Sequence, residues 1–141
     1  MGVKSFDFKK VSLVFGAQAL AGYHEGTVIN YEPAADSFVK HVGADGEVSR
    51  AAMNDFSGSV TVTLAQTSPS NDYLSSIALA DRTSGAGVLP LMLRDASGRT
   101  LIVSDSAWIR QRPKVVLAKG SIEGREWIID LAQAVESFGG N

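Results

Sequence analysis

The sequence predicts a mainly β (α+β) fold, an antiparallel β-sandwich or barrel with one helix, at about residues 69–82, packed against it. Three observations predict it. Short apolar and β-branched runs recur along the chain, separated by Gly, Pro, Asn, Asp and Ser. One of them, residues 59–64, alternates strictly between apolar and hydroxyl side chains. Helix signals gather in one place, with no βαβ rhythm, internal repeat or dividing linker, so residues 1–141 read as a single domain.

Taken in order, residues 11–15 and 18–23 are predicted strands around a Gly16-Ala17 hairpin turn. Residues 27–31 are β-branched and aromatic, and Glu32-Pro33 is expected to end that strand because proline has no N–H to donate. Residues 37–42 follow, with Phe38 and Val39 apolar and Lys40 and His41 beyond them. Gly43-Ala44-Asp45-Gly46 is rich in residues that tolerate left-handed dihedrals. In residues 59–64, Val60, Val62 and Leu64 face one way, and Thr61 and Thr63 the other. Such a β-branched wet face suits a sheet that lines water or meets another subunit.

For the helix, Ser68 is the expected N-cap, Pro69 the first helical residue, and Asp72 the carboxylate that the helix dipole favours in the first turn. Leu74, Ile77 and Ala78 make its apolar stripe, and Gly85 and Gly87 follow its end. Strands then return. Leu89, Leu91 and Leu93 alternate, with Pro90 marking an edge or a bulge. A turn at Asp95-Ala96-Ser97-Gly98 leads into residues 100–104. Residues 107–112 form a strand centred on Trp108 and stopped by Pro113. Residues 115–117 and 126–131 complete the set, with Trp127, Ile129 and Leu131 on one face, and glycine-rich residues 137–141 are expected to fray.

Composition narrows the function. The chain is long enough to bury a core without staples, and 45% hydrophobic with 20% charged residues is ordinary for a globular protein. A net charge of −2 and a pI near 5.6 argue against a nucleic-acid-binding surface. The absence of cysteine excludes disulfides, a thiol nucleophile and cysteine-ligated zinc, and fits a reducing compartment. Lys4, Lys9 and Lys10 precede an apolar run ending in Ala19-Leu20-Ala21, which superficially resembles a secretory signal; Asp7, Gly16 and Gln18 interrupt it, and two short strands explain it better. Phe6 breaks a myristoylation motif at Met1-Gly2, and no run approaches the ~18 apolar residues of a spanning helix. The expectation is a soluble, unprocessed chain that does not itself bind membrane.

Catalytic signals are weak. His24 and His41 lie in different segments and belong to no metal-ligand motif; solvated or singly hydrogen-bonded histidines are the better reading. No serine sits in a G-x-S-x-G elbow, and Asp36 with Asp45, or Glu123 with Glu126, read as solvated turn charges. Gly85-Ala86-Gly87 lacks the lysine of a phosphate loop and precedes a strand. Arg110, Arg112 and Lys114 form a basic stripe beside Trp108, explained equally by single-strand binding and by charges that discourage edge pairing. The Ile122-Glu123-Gly124-Arg125 protease-site match reads as chance. No enzyme activity, metal or cofactor is expected.

The densest specific pattern lies between Ser37 and Ser76. It comprises Val42-Gly43-Ala44-Asp45-Gly46-Glu47-Val48, Arg50, Asn54-Asp55, Ser57-Gly58, Thr63-Leu64, Gln66-Thr67-Ser68, Ser70-Asn71-Asp72 and Leu74-Ser75. These residues resemble bacteriophage tail tube proteins, and Phe6-Asp7-Phe8 and Ala107-Trp108-Ile109 near Pro113 extend the likeness over most of the chain. Arg50-Ala51-Ala52-Met53 departs from the pattern by being more apolar. The resemblance implies a virion structural protein made in the host cytoplasm. Its subunits would form hexameric rings whose inner sheets join into a β-lined lumen, stacked into a tube through which DNA passes without specific binding. The implied partners are further copies of itself, the tape measure, baseplate or tail tip, terminator and, in a contractile tail, sheath.

By analogy with such tubes, the stretch from Gly43 to Phe56 is the expected ring-to-ring contact, with Gly43, Asp45, Glu47, Arg50, Met53, Asn54, Asp55 and Phe56 as candidates. A loop folding back on its own core is the competing explanation. Thr61 and Thr63 are the lumen-lining candidates. Six copies would carry about −12 formal charge, which repels phosphate if enough carboxylates face inward. The alternatives are a secretion-system-like tube protein and a small β-barrel ligand-binding module using residues 108–114.

Overall fold

Strand alternation sorts the chain into one dry core and a wet exterior, as the computed structural model shows for residues 2–26 and 28–140. Thr27 of a predicted strand and Asn141 of the expected frayed tail lie outside the described residues. After a 3-10 turn at Phe8–Lys10, β1 (Val11–Phe15) and β2 (Gln18–Ala19) form the expected hairpin, although β2 is only two residues long. The chain then leaves β1, and Tyr23 makes an isolated bridge to Leu64. β3 (Ile29–Pro33) runs through Glu32-Pro33 instead of stopping before it. Pro33 is tolerated because β3 is an edge strand with one neighbour, so the missing donor interrupts no second ladder.

β4 (Phe38–Val42) and β5 (Val48–Ala52) pair only with each other. The expected loop from Gly43 to Phe56 is therefore a tight turn, a returning strand and a short base. Gly46, at φ 88, supplies the left-handed residue the turn needs. β6 (Gly58–Ala65) follows, and then α1 (Ser70–Ser84). Pro69 already has helical dihedrals, and the Ser68 hydroxyl accepts from the Ser70 amide at 3.2 Å, so the predicted start chemistry is present. Gly85, left-handed at φ 71, closes the helix.

β7 (Leu89–Asp95) has neighbours on both sides, and its register to β8 (Thr100–Gln111) shifts between Leu89 and Leu91. Pro90 thus marks a bulge and not an edge. The two strands predicted at 100–104 and 107–112 are one long strand. Residues 115–117 form no strand, since none of the described residues pairs with them. β9 (Gly124–Leu131) and β10 (Val135–Phe138) both pair with β8, so part of the tail expected to fray is held in the sheet.

The main sheet is antiparallel throughout, ordered β2-β1-β7-β8-β9-β6-β3 with β10 beside β8. The path of its strands runs open from β2 to β3, and no closed barrel is found among the described residues. The sheet is nevertheless folded over on itself. Leu13 and Phe15 of β1 share one core cluster with Val60, Val62 and Leu64 of β6, four ladders away along the path. Leu74 and Ile77 of α1 join that cluster. The helix is also tied by polar bonds. The Trp127 indole N–H donates to Asn71 Oδ1 at 3.0 Å, Asn71 Nδ2 donates to the Ala65 carbonyl at 2.8 Å, and the Tyr73 hydroxyl donates to the Phe15 carbonyl at 2.8 Å.

Candidate assembly surfaces

Every residue from Phe38 to Phe56 is exposed, which no other stretch of that length among the described residues matches. Register sets the two faces of this hairpin arm. Phe38/Ala52, Lys40/Arg50 and Val42/Val48 share one face, and Val39/Ala51 and His41/Ser49 the other. The first face alternates apolar, cationic, apolar. The Arg50 guanidinium lies over the Phe38 ring, 4.0 Å from its centroid, which stiffens the stem.

The eight ring-contact candidates divide into three groups. Gly43, Asp45 and Glu47 form the tip, closed by Gly43 N–H donating to the Glu47 carbonyl at 2.8 Å and Glu47 N–H donating to Asp45 Oδ1 at 3.2 Å. Arg50 lies in the stem. Met53, Asn54, Asp55 and Phe56 form the base, about 17 Å from the tip if each strand rises ~3.4 Å per residue. There Met53 N–H donates to the Ser37 carbonyl at 3.0 Å, and the Phe56 carbonyl accepts from Ala134 N–H at 2.8 Å. The Ser57 hydroxyl and amide both donate to Asp55 Oδ1, at 2.6 and 3.0 Å, holding that carboxyl below its ordinary value. The base is thus anchored on the main sheet, while the tip's hydrogen bonds are local.

Thr61 and Thr63 project from the outer face of β6, half-buried between neighbours. Their rows across the sheet are Asn30–Thr61–Ile128 and Thr63–Glu126, and the adjoining row is Glu32–Ser59–Asp130–Trp108. Hydroxyls and carboxylates therefore dominate this face. Arg110 lies beside it and donates to Asp130 at 2.8 Å. That pairing breaks up the predicted basic stripe, because Arg112 and Lys114 lie beyond the end of β8.

Two exposed apolar surfaces escaped the sequence reading. The connection from β8 to β9 leaves Val115, Val116, Leu117 and Ile122 exposed, Leu117 by 75%. Their apolar character was visible, but a run of apolar residues reads as a buried strand until the partner is found missing. The second surface is β10, where Val135 and Phe138 are exposed and Phe138 stacks on Tyr31 with ring centroids 6.3 Å apart.

The Tyr31 hydroxyl donates to the Glu136 carboxylate, locking β10 to β3. Burial, that hydrogen bond and the Glu136 charge push the Tyr31 phenol well above its ordinary value. A raised value means that the fold favours the protonated phenol. Its contribution to stability is complete below about pH 10, the ordinary tyrosine value, and is lost as pH rises towards the folded value. Urea midpoints at about pH 8 and about pH 10.5 should therefore fall for the native chain and fall less for Tyr31→Phe. An equal fall in both would contradict the assignment.

His24 and His41 are not brought together. The first donates its backbone N–H to Thr63, and the second lies on the hairpin opposite Ser49. Among the described residues no His/Asp/Glu group has metal-site geometry, and no helix is long and apolar enough to cross a membrane.

A folded-over antiparallel sheet, one covering helix and a projecting hairpin make up a fold that recurs among solved structures. A solved extracellular contractile injection system sheath/tube terminator has the same fold, with a TM-score of 0.69 at 8% identity over 96% of this chain and 98% of that one. The anti-feeding prophage tube-terminating cap gives 0.64 at 10% identity, over 97% and 94%. A chain of an extracellular contractile injection system sheath–tube complex gives 0.62 at 9%, over 94% and 91%. Sequence narrows the class further. The chain belongs to the bacteriophage PhiTE tail tube protein family, whose match spans residues 11–139. It is 33% identical over 127 residues to structural protein ORF10 of Pseudomonas phage KPP10, covering 89% of this chain and 73% of that relative.

Proposed function

We propose that this chain is the subunit of a phage tail tube, assembling into hexameric rings that stack into a conduit for DNA. The observation that carries the reading is the fully exposed β4–β5 hairpin in a member of a tail tube family. A two-stranded ribbon is marginal in water by itself, and this one carries Phe38, Val42 and Val48 on a single face. Docking on another copy supplies the missing cover. The open edge of β3 has the same logic, since a neighbouring strand completes it.

The face bearing Thr61 and Thr63 is the proposed lumen wall. Glu32, Glu126 and Asp130 share it, and carboxylates there let DNA slide past without adhering. The role is structural, in the virion, after synthesis in the host cytoplasm. Tape measure, baseplate or tail tip, terminator and any sheath are the other proposed partners. A secretion-system-like tube shares the fold, but the relative at 33% identity is a phage protein, which favours the virion.

Negative-stain microscopy of concentrated purified protein tests the reading. Six-fold rings and tubes are expected. A strictly monomeric species at high concentration would overturn it.

A further inference from the structure

We propose that the groove between α1 and the end of β8 is the socket for the acidic hairpin tip of a second copy. The inference rests on the tube reading and names the partner surface that the hairpin engages. The groove encloses about 580 Å³ and is lined by four of the chain's seven arginines, Arg82, Arg110, Arg112 and Arg125, against one carboxylate, Asp81. Arg110 is committed to Asp130. Asp81 accepts from the Gly87 amide at 3.2 Å. Among the described residues Arg82, Arg112 and Arg125 have no ion-pair partner. Three guanidinium groups along one groove of an acidic protein repel one another, and carboxylates entering from outside relieve that repulsion while forming bidentate hydrogen bonds.

The apolar part of the groove narrows the choice of occupant. Leu79 and Val115 line it while 53% and 57% exposed, and Ile109 and Trp127 lie beside them. The occupant should therefore carry carboxylates next to small apolar groups. The hairpin tip does so: Asp45 and Glu47 are framed by the directly paired Val42 and Val48, which are 61% and 62% exposed. The carboxylates meet the arginines and the valines cover Leu79 and Val115. Head-to-tail use of two different surfaces gives a contact that propagates instead of closing as a dimer.

The chain has no cysteine, so an introduced pair reports without background. Ala44→Cys on the tip and Leu79→Cys on the groove rim leave every charge in place. Tubes assembled under reducing conditions and then oxidised should give a ladder of disulfide-linked multimers on a non-reducing gel. In parallel, Arg112→Glu with Arg125→Glu should weaken assembly by about tenfold or more, and adding Asp45→Lys with Glu47→Lys should restore it. Tubes that yield no ladder would overturn the socket and leave the tube reading intact, as would undiminished assembly of the arginine variant. Failure of the native chain to form any ring or tube would remove both.

Discussion

A chain in which Phe38–Ala52 is replaced by a two-glycine turn is expected to fold normally and to stop short of tubes. No residue of the excised ribbon is buried, so the core loses no contact. The cut also falls where the backbone already closes, because Met53 N–H donates to the Ser37 carbonyl at 3.0 Å. Loss of an exposed element whose ends already meet should move the melting midpoint little. Assembly should suffer far more, since the ribbon carries both the acidic tip and the apolar-cationic face. Thermal melts followed by circular dichroism, with microscopy of the same sample, separate the two effects. Tubes of normal length from this variant would refute the hairpin's role in stacking, whereas a collapsed melt would show that the ribbon supports the body.

Trp127→Ala should have the largest effect on stability. Trp127 is 3% exposed on the inner face of β9, and its indole N–H meets Asn71 at the start of α1. Truncation opens a cavity costing about 3–5 kcal/mol. It also leaves buried Asn71 Oδ1 without its donor, at about 1–3 kcal/mol more. That total approaches the whole stability of an ordinary domain, about 5–15 kcal/mol, so the variant should be largely unfolded or recovered only in aggregates. Trp127→Phe separates the terms, retaining most of the packing and losing the hydrogen bond, and should cost about 1–3 kcal/mol. Urea denaturation measures both. A cost below about 1 kcal/mol for the alanine variant would show that this contact does not join helix to sheet.

The elements that were legible in the sequence are those specified by neighbours along the chain. Alternation in Val60, Val62 and Leu64 appears as three fully buried side chains, and Thr61 and Thr63 face outward as expected. Ser68, Pro69 and Gly85 mark the helix ends through backbone chemistry within a few residues. Two of the misreadings share one cause. Residues 115–117 have strand composition but no partner among the described residues, whereas residues 48–52, with two alanines, a serine and an arginine, have weak strand composition and a partner just across a five-residue turn. A ladder needs a second strand, and composition does not report whether one arrives.

The candidate site shows the same division. The stretch containing Gly43, Asp45, Glu47, Arg50, Met53, Asn54, Asp55 and Phe56 stood out in sequence as a block. Folding divides it into tip, stem and base with different surroundings. The arginine groove was half visible, as Arg110 and Arg112; Arg82 and Arg125 join it from a helix and a strand distant in sequence.

By itself, the sequence determined the strand-rich character, the single helix and its ends, the dry and wet faces of β6, and the tail tube resemblance. Each depends on the spacing of side chains a few residues apart or on an ordered motif. The tertiary structure alone decided the strand order, the open path of the sheet, the separation of the hairpin from the core, and the gathering of four arginines beside α1. Those features depend on which distant segments bury apolar area together. That competition is settled across the whole chain, and the same accounting leaves the hairpin outside the core.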